Sequence, residues 1–262
     1  MKWFVAFPAV GVVAVIMTMT GRGGGNFYVP ILVASGVTMH VAAASGQFIL
    51  FTTAAAATLL FHKSRAVDWK LALVIDPVTD VMAFLGGYFS AYIAGGTLKL
   101  VMAGMLAVAA LAMCLTVKEK RTQTQRRLGY WRREFAGNAY TVNLWIALPI
   151  AAVTGLLAGA VGISGGSFKV PLMVLACGVP MRIAVGTSSV MIAATAAMGL
   201  AGHAMQGHFD LHWALPLACV AVLGGIIGSR LALKTRPRSL KTLFAVTTLA
   251  AAGFMAISAI LS

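Results

Sequence analysis

Charge is what this sequence has least of. Asp, Glu, Lys and Arg make up 10% of its 262 residues, and the acids among them number six, while 60% of the chain is hydrophobic. A soluble domain carries about 25% charged and about 45–50% apolar residues, so a water-soluble globule is excluded and a bilayer is indicated. Cysteine is equally sparse. Cys114, Cys177 and Cys219 stand far apart in or beside apolar segments, which excludes a disulfide framework and a metal-type spacing and leaves them as buried small residues. No nucleophile–base pair, phosphate-binding fingerprint or zincin motif occurs in a credible context. The sequence therefore predicts no catalytic residues, no metal and no cofactor, and the chain is not read as an enzyme. The net charge of +14 does not indicate nucleic acid, because the basic residues sit between apolar runs without the interleaved aromatics of a binding face. The bias of Lys and Arg toward cytoplasmic loops explains them better.

What the chain does have is long apolar runs. Crossing about 30 Å of hydrocarbon takes about 20 residues of helix, and such runs recur at 41–61, 71–93, 98–117, 183–202, 211–233 and 240–261. The opening run, Trp3 to Thr20, has only Lys2 before it and no small-x-small pattern after it, so it is read as retained rather than as a signal peptide. Two stretches have the wrong length. Residues 143–177 are too long for one helix and too short for two, and Trp3 to Ser35 poses the same problem. Each is interrupted by glycines, "GRGGGNFYVP" from Gly21 to Pro30 and "GISGGSFKVP" from Gly162 to Pro171, where helix is least favoured. Both are predicted to break there and fold back as re-entrant hairpins. Irregular backbone at that depth needs protein or a polar cavity around it.

The two interruptions are copies. Aligning Pro30 with Pro171 pairs Gly24 with Gly165, Gly25 with Gly166 and Phe27 with Phe168. After a one-residue gap the register continues through Gly36 with Gly178, Asp68 with Asp210, Gly86 with Gly228 and Lys99 with Lys241. This predicts an all-α polytopic membrane protein of two homologous repeats, each a broken segment plus three spanning helices, over 1–117 and 143–262 with a basic linker at 118–142. The joining segment, "VKEKRTQTQRRLGYWRREF", is placed in the cytoplasm, hence a multi-pass protein of the cytoplasmic membrane. Lys63, Arg65 and Lys70, and also Arg230 to Lys241, fall on that side only if each broken segment crosses zero times. The repeats are then inverted, a recurring transporter plan. The alternative is a parallel duplication of eight plain spans.

Lys169 lies inside an apolar run, where a cation costs about 2.5–3.5 kcal/mol on insertion scales, and near a helix start that already carries partial positive charge. A bound anion would relieve both terms. Arg22 brings a cation to the other break. Ser164, Ser167 and Asn26 add neutral donors, and Gly24, Gly25, Gly165 and Gly166 let backbone approach a ligand. Snorkelling of Lys169 and, for Arg22, a salt bridge or a headgroup position are the alternatives. Asp76 and Asp80, in "VIDPVTDVMAF", share a helix face at i and i+4. They serve either as proton-coupling carboxylates or as charge partners of Lys169, Arg22 or Arg230. Asp68 and Asp210 are read as helix caps, and His208 and His212 do not form a metal site, lacking a third ligand.

With these residues in view the chain resembles the sulfite exporter TauE/SafE family of membrane transporters. "GISGGSFKVP", "AVGTS" within "VPMRIAVGTSSVMIAAT", and "GGIIGSRL" carry the resemblance, which covers almost the whole length. It implies transport of sulfur-containing anions such as sulfite or organosulfonates. By the same resemblance Gly186, Thr187 and Ser188, with Ser45, Gly46 and Gln47 as counterparts, are lining candidates, packing by small residues being the alternative. The first copy departs from the family, with Arg22 at a usually apolar position and "AAASGQF" in place of "AVGTS". The expected partners are a small inorganic or organic anion and the lipid bilayer, with protons and a homo-oligomer left open and nucleic acid excluded. An anion channel or a non-transporting scaffold subunit are the rival functions.

Overall fold

The computed structural model describes residues 3–114, 128–163, 165–236, 238–240, 242–243 and 246–247. The helices are α1 (Trp3–Met19), α2 (Gly25–Ala34), α3 (Met39–Lys63), α4 (Trp69–Phe89), α5 (Gly95–Cys114), α6 (Leu144–Val161), α7 (Gly166–Pro171), α8 (Met181–Met205) and α9 (Leu211–Lys234). The run at 240–261 lies almost wholly outside the described residues. Among those residues, five helical stretches are long and apolar enough to cross a membrane: Met39–Lys63, Trp69–Tyr92, Leu144–Val161, Met181–Met205 and Ala214–Lys234. The chain is an all-α polytopic membrane protein. Both wrong-length runs are broken at their glycines, into α1 and α2 and into α6 and α7, and α7 continues through a π turn at Leu172–Ala176.

The helices pack in corresponding sets: α4 lies against α6 and α8, α9 against α1 and α3, and α3 against α8. Small residues permit this closeness, as in membrane bundles generally. Gly86 of α4 rests on the Leu156 carbonyl of α6, and Gly228 of α9 rests on the Val15 carbonyl of α1, equivalent positions in the register that aligns the two glycine breaks. The helices α3 and α8 run antiparallel. His40 at the start of α3 meets His208 just past the end of α8, with ring centroids 4.9 Å apart. Gln47 packs on Gly199, and the turn after α3 reaches the start of α8 where the Asp68 N–H donates to Thr187 Oγ1 at 3.0 Å.

One element escaped the sequence reading. Part of the basic linker forms an antiparallel hairpin of β1 (Tyr130–Phe135) and β2 (Asn138–Asn143). Its two-residue turn has positive φ at both Ala136 (48°) and Gly137 (75°), the type I′ geometry whose twist suits a hairpin. The hairpin docks on the N-terminus of α4. Asp68 accepts from the Lys70 and Leu71 N–H groups as N-cap, from Arg133 Nε and Nη2 at 2.9 and 3.1 Å, and from the Tyr140 hydroxyl. Burial pushes the Asp68 carboxyl up, but the hydrogen bonds from Arg133, Tyr140 and the Leu71 N–H outweigh it and hold the group below its ordinary value. Asp210, which aligns with Asp68 in the sequence, caps α9 through the His212 N–H.

Two outcomes are expected. Gly86→Ala places a methyl against the Leu156 backbone and lowers detergent-solubilised stability by about 1–3 kcal/mol, the usual cost of overpacking. Gly104→Ala, where a Cβ meets nothing within 4 Å, leaves it unchanged or slightly raised; equal thermal midpoints for the two variants would refute the packing argument. Because the Asp68 carboxyl is depressed in the folded state, its stabilisation is present above the ordinary carboxylate range and is lost as pH falls through the depressed value. Limited proteolysis of the hairpin therefore accelerates on acidification, and Asp68→Asn, which keeps a good cap, shows the fast rate already at neutral pH.

Candidate functional site

The two glycine breaks meet in the interior. In the first, Gly21, Gly23 and Gly24 adopt φ of 71°, 69° and 100°. A Cβ at Gly21 would stand 2.8 Å from the Val185 Cα of α8, so only glycine lets the break lie on that helix. In the second, Gly162 ends α6 at φ 74°, and a Cβ at Gly166 would stand 2.9 Å from both the Arg22 Cα and the Gly21 carbonyl oxygen. Ile192, near the middle of α8, touches both Gly23 and Gly166. Asn26 Nδ2 donates across the junction to Ser167 Oγ at 2.6 Å. Ser188 Oγ donates to the Gly21 carbonyl at 2.7 Å, and in the equivalent place Gly46 of α3 packs against the Gly162 carbonyl.

Lys169, on α7, is 2% exposed. Its ammonium donates to Asp76 Oδ1 of α4 at 2.5 Å, to Thr195 Oγ1 of α8 at 2.6 Å and to the Met191 carbonyl of α8 at 3.0 Å. The Thr195 hydroxyl in turn lies 2.8 Å from Asp80 Oδ1, so both acids of α4 and the lysine are joined through one hydroxyl. Neither snorkelling nor a bound ligand is needed to hold this cation, because Asp76 supplies its counter-charge within the fold. Arg22 is fully buried, with Nε donating to Thr20 Oγ1 at 3.2 Å and a second bond to the Thr247 hydroxyl. A headgroup position is thereby replaced by an interior one.

Of the residues singled out from sequence, Arg22, Gly24, Gly25, Asn26, Gly165, Gly166, Ser167, Lys169 and Ser188 belong to the two breaks or touch them. Ser164 lies outside the described residues. Thr187 departs from expectation, since its hydroxyl accepts from the Asp68 N–H at the α3–α4 turn instead of facing the breaks. Ser45 and Gln47 are buried; Gln47 Nε2 donates to the Ala158 carbonyl of α6 at 3.3 Å, while Ser45 Oγ and Gln47 Oε1 have no hydrogen-bond partner among the described residues. Thr195 and the Met191 carbonyl were not foreseen. Thr195 is an ordinary hydroxyl in an apolar helix, and no spacing marks it. The only signal available was its place one helical turn after Met191, on the face that also carries Ser188.

A largely apolar cavity of about 890 Å³ opens between α5, α6 and α7, lined by Met105, Val153, Leu157, Phe168 and Leu172 among others and reaching Ser167 of the second break. It offers no charged side chain to an anion. Among the described residues, no group of three or more His, Cys, Asp or Glu side chains is placed to hold a metal ion.

The Lys169–Asp76 pair makes a direct prediction. Lys169→Met strands a buried carboxylate and destabilises the fold by about 3–5 kcal/mol, whereas Lys169→Met combined with Asp76→Leu returns stability to near the wild-type level. Thermal unfolding of the two variants in one detergent measures this, and an equal loss in both would show that the pair is not what holds the lysine.

Residues 6–255 match the family model Sulfite exporter TauE/SafE. The chain is 27% identical over 250 residues to the probable membrane transporter protein YunE of Bacillus subtilis strain 168, covering 90% of this chain and 91% of that protein. It is 23% identical over 221 residues to YdhB, a probable membrane transporter protein of the same organism, with 82% and 84% covered. A probable membrane transporter protein of Xylella fastidiosa strain 9a5c is 25% identical over 224 residues, with 85% and 82% covered. No solved structure matches. A match over nearly the whole chain, on a helical membrane protein whose glycine breaks are the segments that carried the resemblance, places this protein in the sulfite exporter TauE/SafE family.

Proposed function

We propose that the protein is a secondary carrier that moves a small anion, a sulfur oxyanion such as sulfite or an organosulfonate, across the cytoplasmic membrane, and that it is not an enzyme. The observation that carries this reading is the meeting of two glycine-broken segments, one from each half of the chain, with the buried cations Arg22 and Lys169 beside the junction. A buried cation and glycine backbone next to hydrogen-bond donors suit an anion. Sulfur oxyanions follow from the family, and alternating access follows from rocking one repeat against the other around the junction.

The repeats of this carrier are 1–117 and 143–262, inverted, with re-entrant breaks and the basic linker 118–142 in the cytoplasm. Support for inversion comes from the antiparallel run of α3 and α8, which occupy equivalent places in the two copies. A parallel duplication would set those helices parallel. The equivalent contacts of Gly86 on Leu156 and Gly228 on Val15 support the duplication itself. A scaffold subunit has no need of broken helices at an interior polar junction, which disfavours that rival.

The test is uptake into proteoliposomes of sulfite, methanesulfonate, sulfate and thiosulfate. Flux of at least one of these is expected, with acceleration by internal substrate; flux without that acceleration is the signature of a channel. Arg22→Gln lowers flux by about tenfold or more, as expected for loss of a charged hydrogen bond worth about 1.5–3 kcal/mol, with little change in reconstituted protein. Full flux in Arg22→Gln and in the paired Lys169→Met, Asp76→Leu variant would dispose of the site.

A further inference from the structure

Lys169 has no donor to spare. An ammonium carries three N–H groups, and in this protein they go to Asp76, Thr195 and the Met191 carbonyl. The group is buried, so an anion that comes to it must displace an acceptor already there. Thr195 and the Met191 carbonyl are neutral and bound to α8, and the one proton of the Thr195 hydroxyl has the Met191 carbonyl and Asp80 Oδ1 as alternative acceptors, each at 2.8 Å. Asp76 is the acceptor that carries the same charge as the incoming anion and is repelled by it.

We propose that substrate anion and proton bind together at this site: the anion takes the place of the Asp76 carboxylate on Lys169, and the displaced carboxylate takes up a proton. Asp76 is 5% exposed, and an ionised carboxylate stripped of its partner there costs several kcal/mol, more than protonation does. Charge is conserved. Before binding, the ammonium and the Asp76 carboxylate sum to zero; afterwards the ammonium, a monovalent anion and a neutral carboxylic acid sum to zero again. Anion without proton would add a further negative charge beside the Asp80 carboxylate, and proton without anion would leave the ammonium with Asp80 alone, reached only through the Thr195 hydroxyl.

The surroundings of Asp76 assign the proton to it. The charged groups facing it are Lys169 of α7 and Asp80 on its own helix. The packed helix α6, residues 144–161, contains no titratable residue. Among the described residues, helix α8 presents to it the Thr195 hydroxyl and the Met191 carbonyl; of its titratable residues, Arg182 lies more than three turns before Thr195 and His203 two turns beyond it, with Nε2 within 2.9 Å of the Gly159 carbonyl and Nδ1 within 3.1 Å of Ser90 Oγ. Asp80 is half-buried and is joined to Lys169 through Thr195, so it offers a carboxylate relay between a more accessible position and Asp76. The arrangement makes the carrier a proton–anion symporter, electroneutral for a monovalent anion.

This rests on the carrier reading, and the test separates the two. Purified full-length protein in weakly buffered detergent solution is titrated with methanesulfonate, sulfate and thiosulfate, anions whose own protonation does not change near neutrality, as that of sulfite does. The pH change and the binding heat in two buffers count protons per bound anion. About one proton taken up per anion is expected, with affinity falling about tenfold per unit rise in pH, the linkage slope for one proton. Asp76→Asn, nearly isosteric, is expected to bind with no proton uptake and no pH dependence; the wild-type count stands alone if that variant does not fold. Binding without proton uptake by the wild-type protein overturns the coupling and leaves the carrier. Binding of none of the three probes overturns the coupling as proposed, and if sulfite flux into proteoliposomes is absent as well the carrier reading falls with it.

Discussion

An ammonium group in an apolar interior must have a negative partner, and the site of this protein is organised around that requirement. Lys169 sits on a six-residue helix that could not hold it alone, since its own N-terminus is already the positive end. Asp76 answers from α4, and Thr195 and the Met191 carbonyl answer from α8. Three helices from both halves of the chain are thereby tied to one nitrogen. A bond network of this kind is strong where it is complete and costly where any member is removed, which suits a switching point better than a passive strut.

The second constraint is closeness of backbone. A hairpin of broken helix can reach another only if nothing protrudes at the junction, and the glycines at 21, 162 and 166 sit where a Cβ would strike neighbouring backbone. The same device operates along the helix pairs, where Gly86 and Gly228 bring α4 onto α6 and α9 onto α1. Without a water-driven hydrophobic effect between helices in lipid, such close packing and interhelical hydrogen bonds provide the attraction. The fold is therefore stabilised by small residues and the site by a few polar ones. The two sets lie on the same helices: on α8, Gly186, Ser188, Thr195 and Gly199 follow one another within about four turns.

Much of this was legible in the chain. Run lengths and glycines located every described break, and the spanning stretches at 41–61, 71–93 and 183–202 correspond closely to α3, α4 and α8. Arg22, Asn26, Ser167 and Lys169 stood out because polar residues are rare in such runs, and rarity is itself a signal in a bilayer. The hairpin at 130–143 was missed because its Arg and Glu content reads as a solvated charge run, although "YWRREF" and "NAYTVN" around Ala136-Gly137 carry the pattern of two short strands and a tight turn. Thr187 was misplaced because a short polar motif tells which helix turn it occupies but not which neighbour that turn faces.

The sequence by itself determined that the chain lives in a membrane and where its helices break, because hydrophobic length and glycine are local properties that need no partner to be read. Only the tertiary structure decided that Asp76 is the acid meeting Lys169, that Thr195 joins Asp80 to the same ammonium, and that Asp68 anchors the linker hairpin. Those pairings link residues as far apart as 93 and 115 positions in the chain. Which charge neutralises which is set by the packing of several helices at once, and no one-dimensional spacing encodes it.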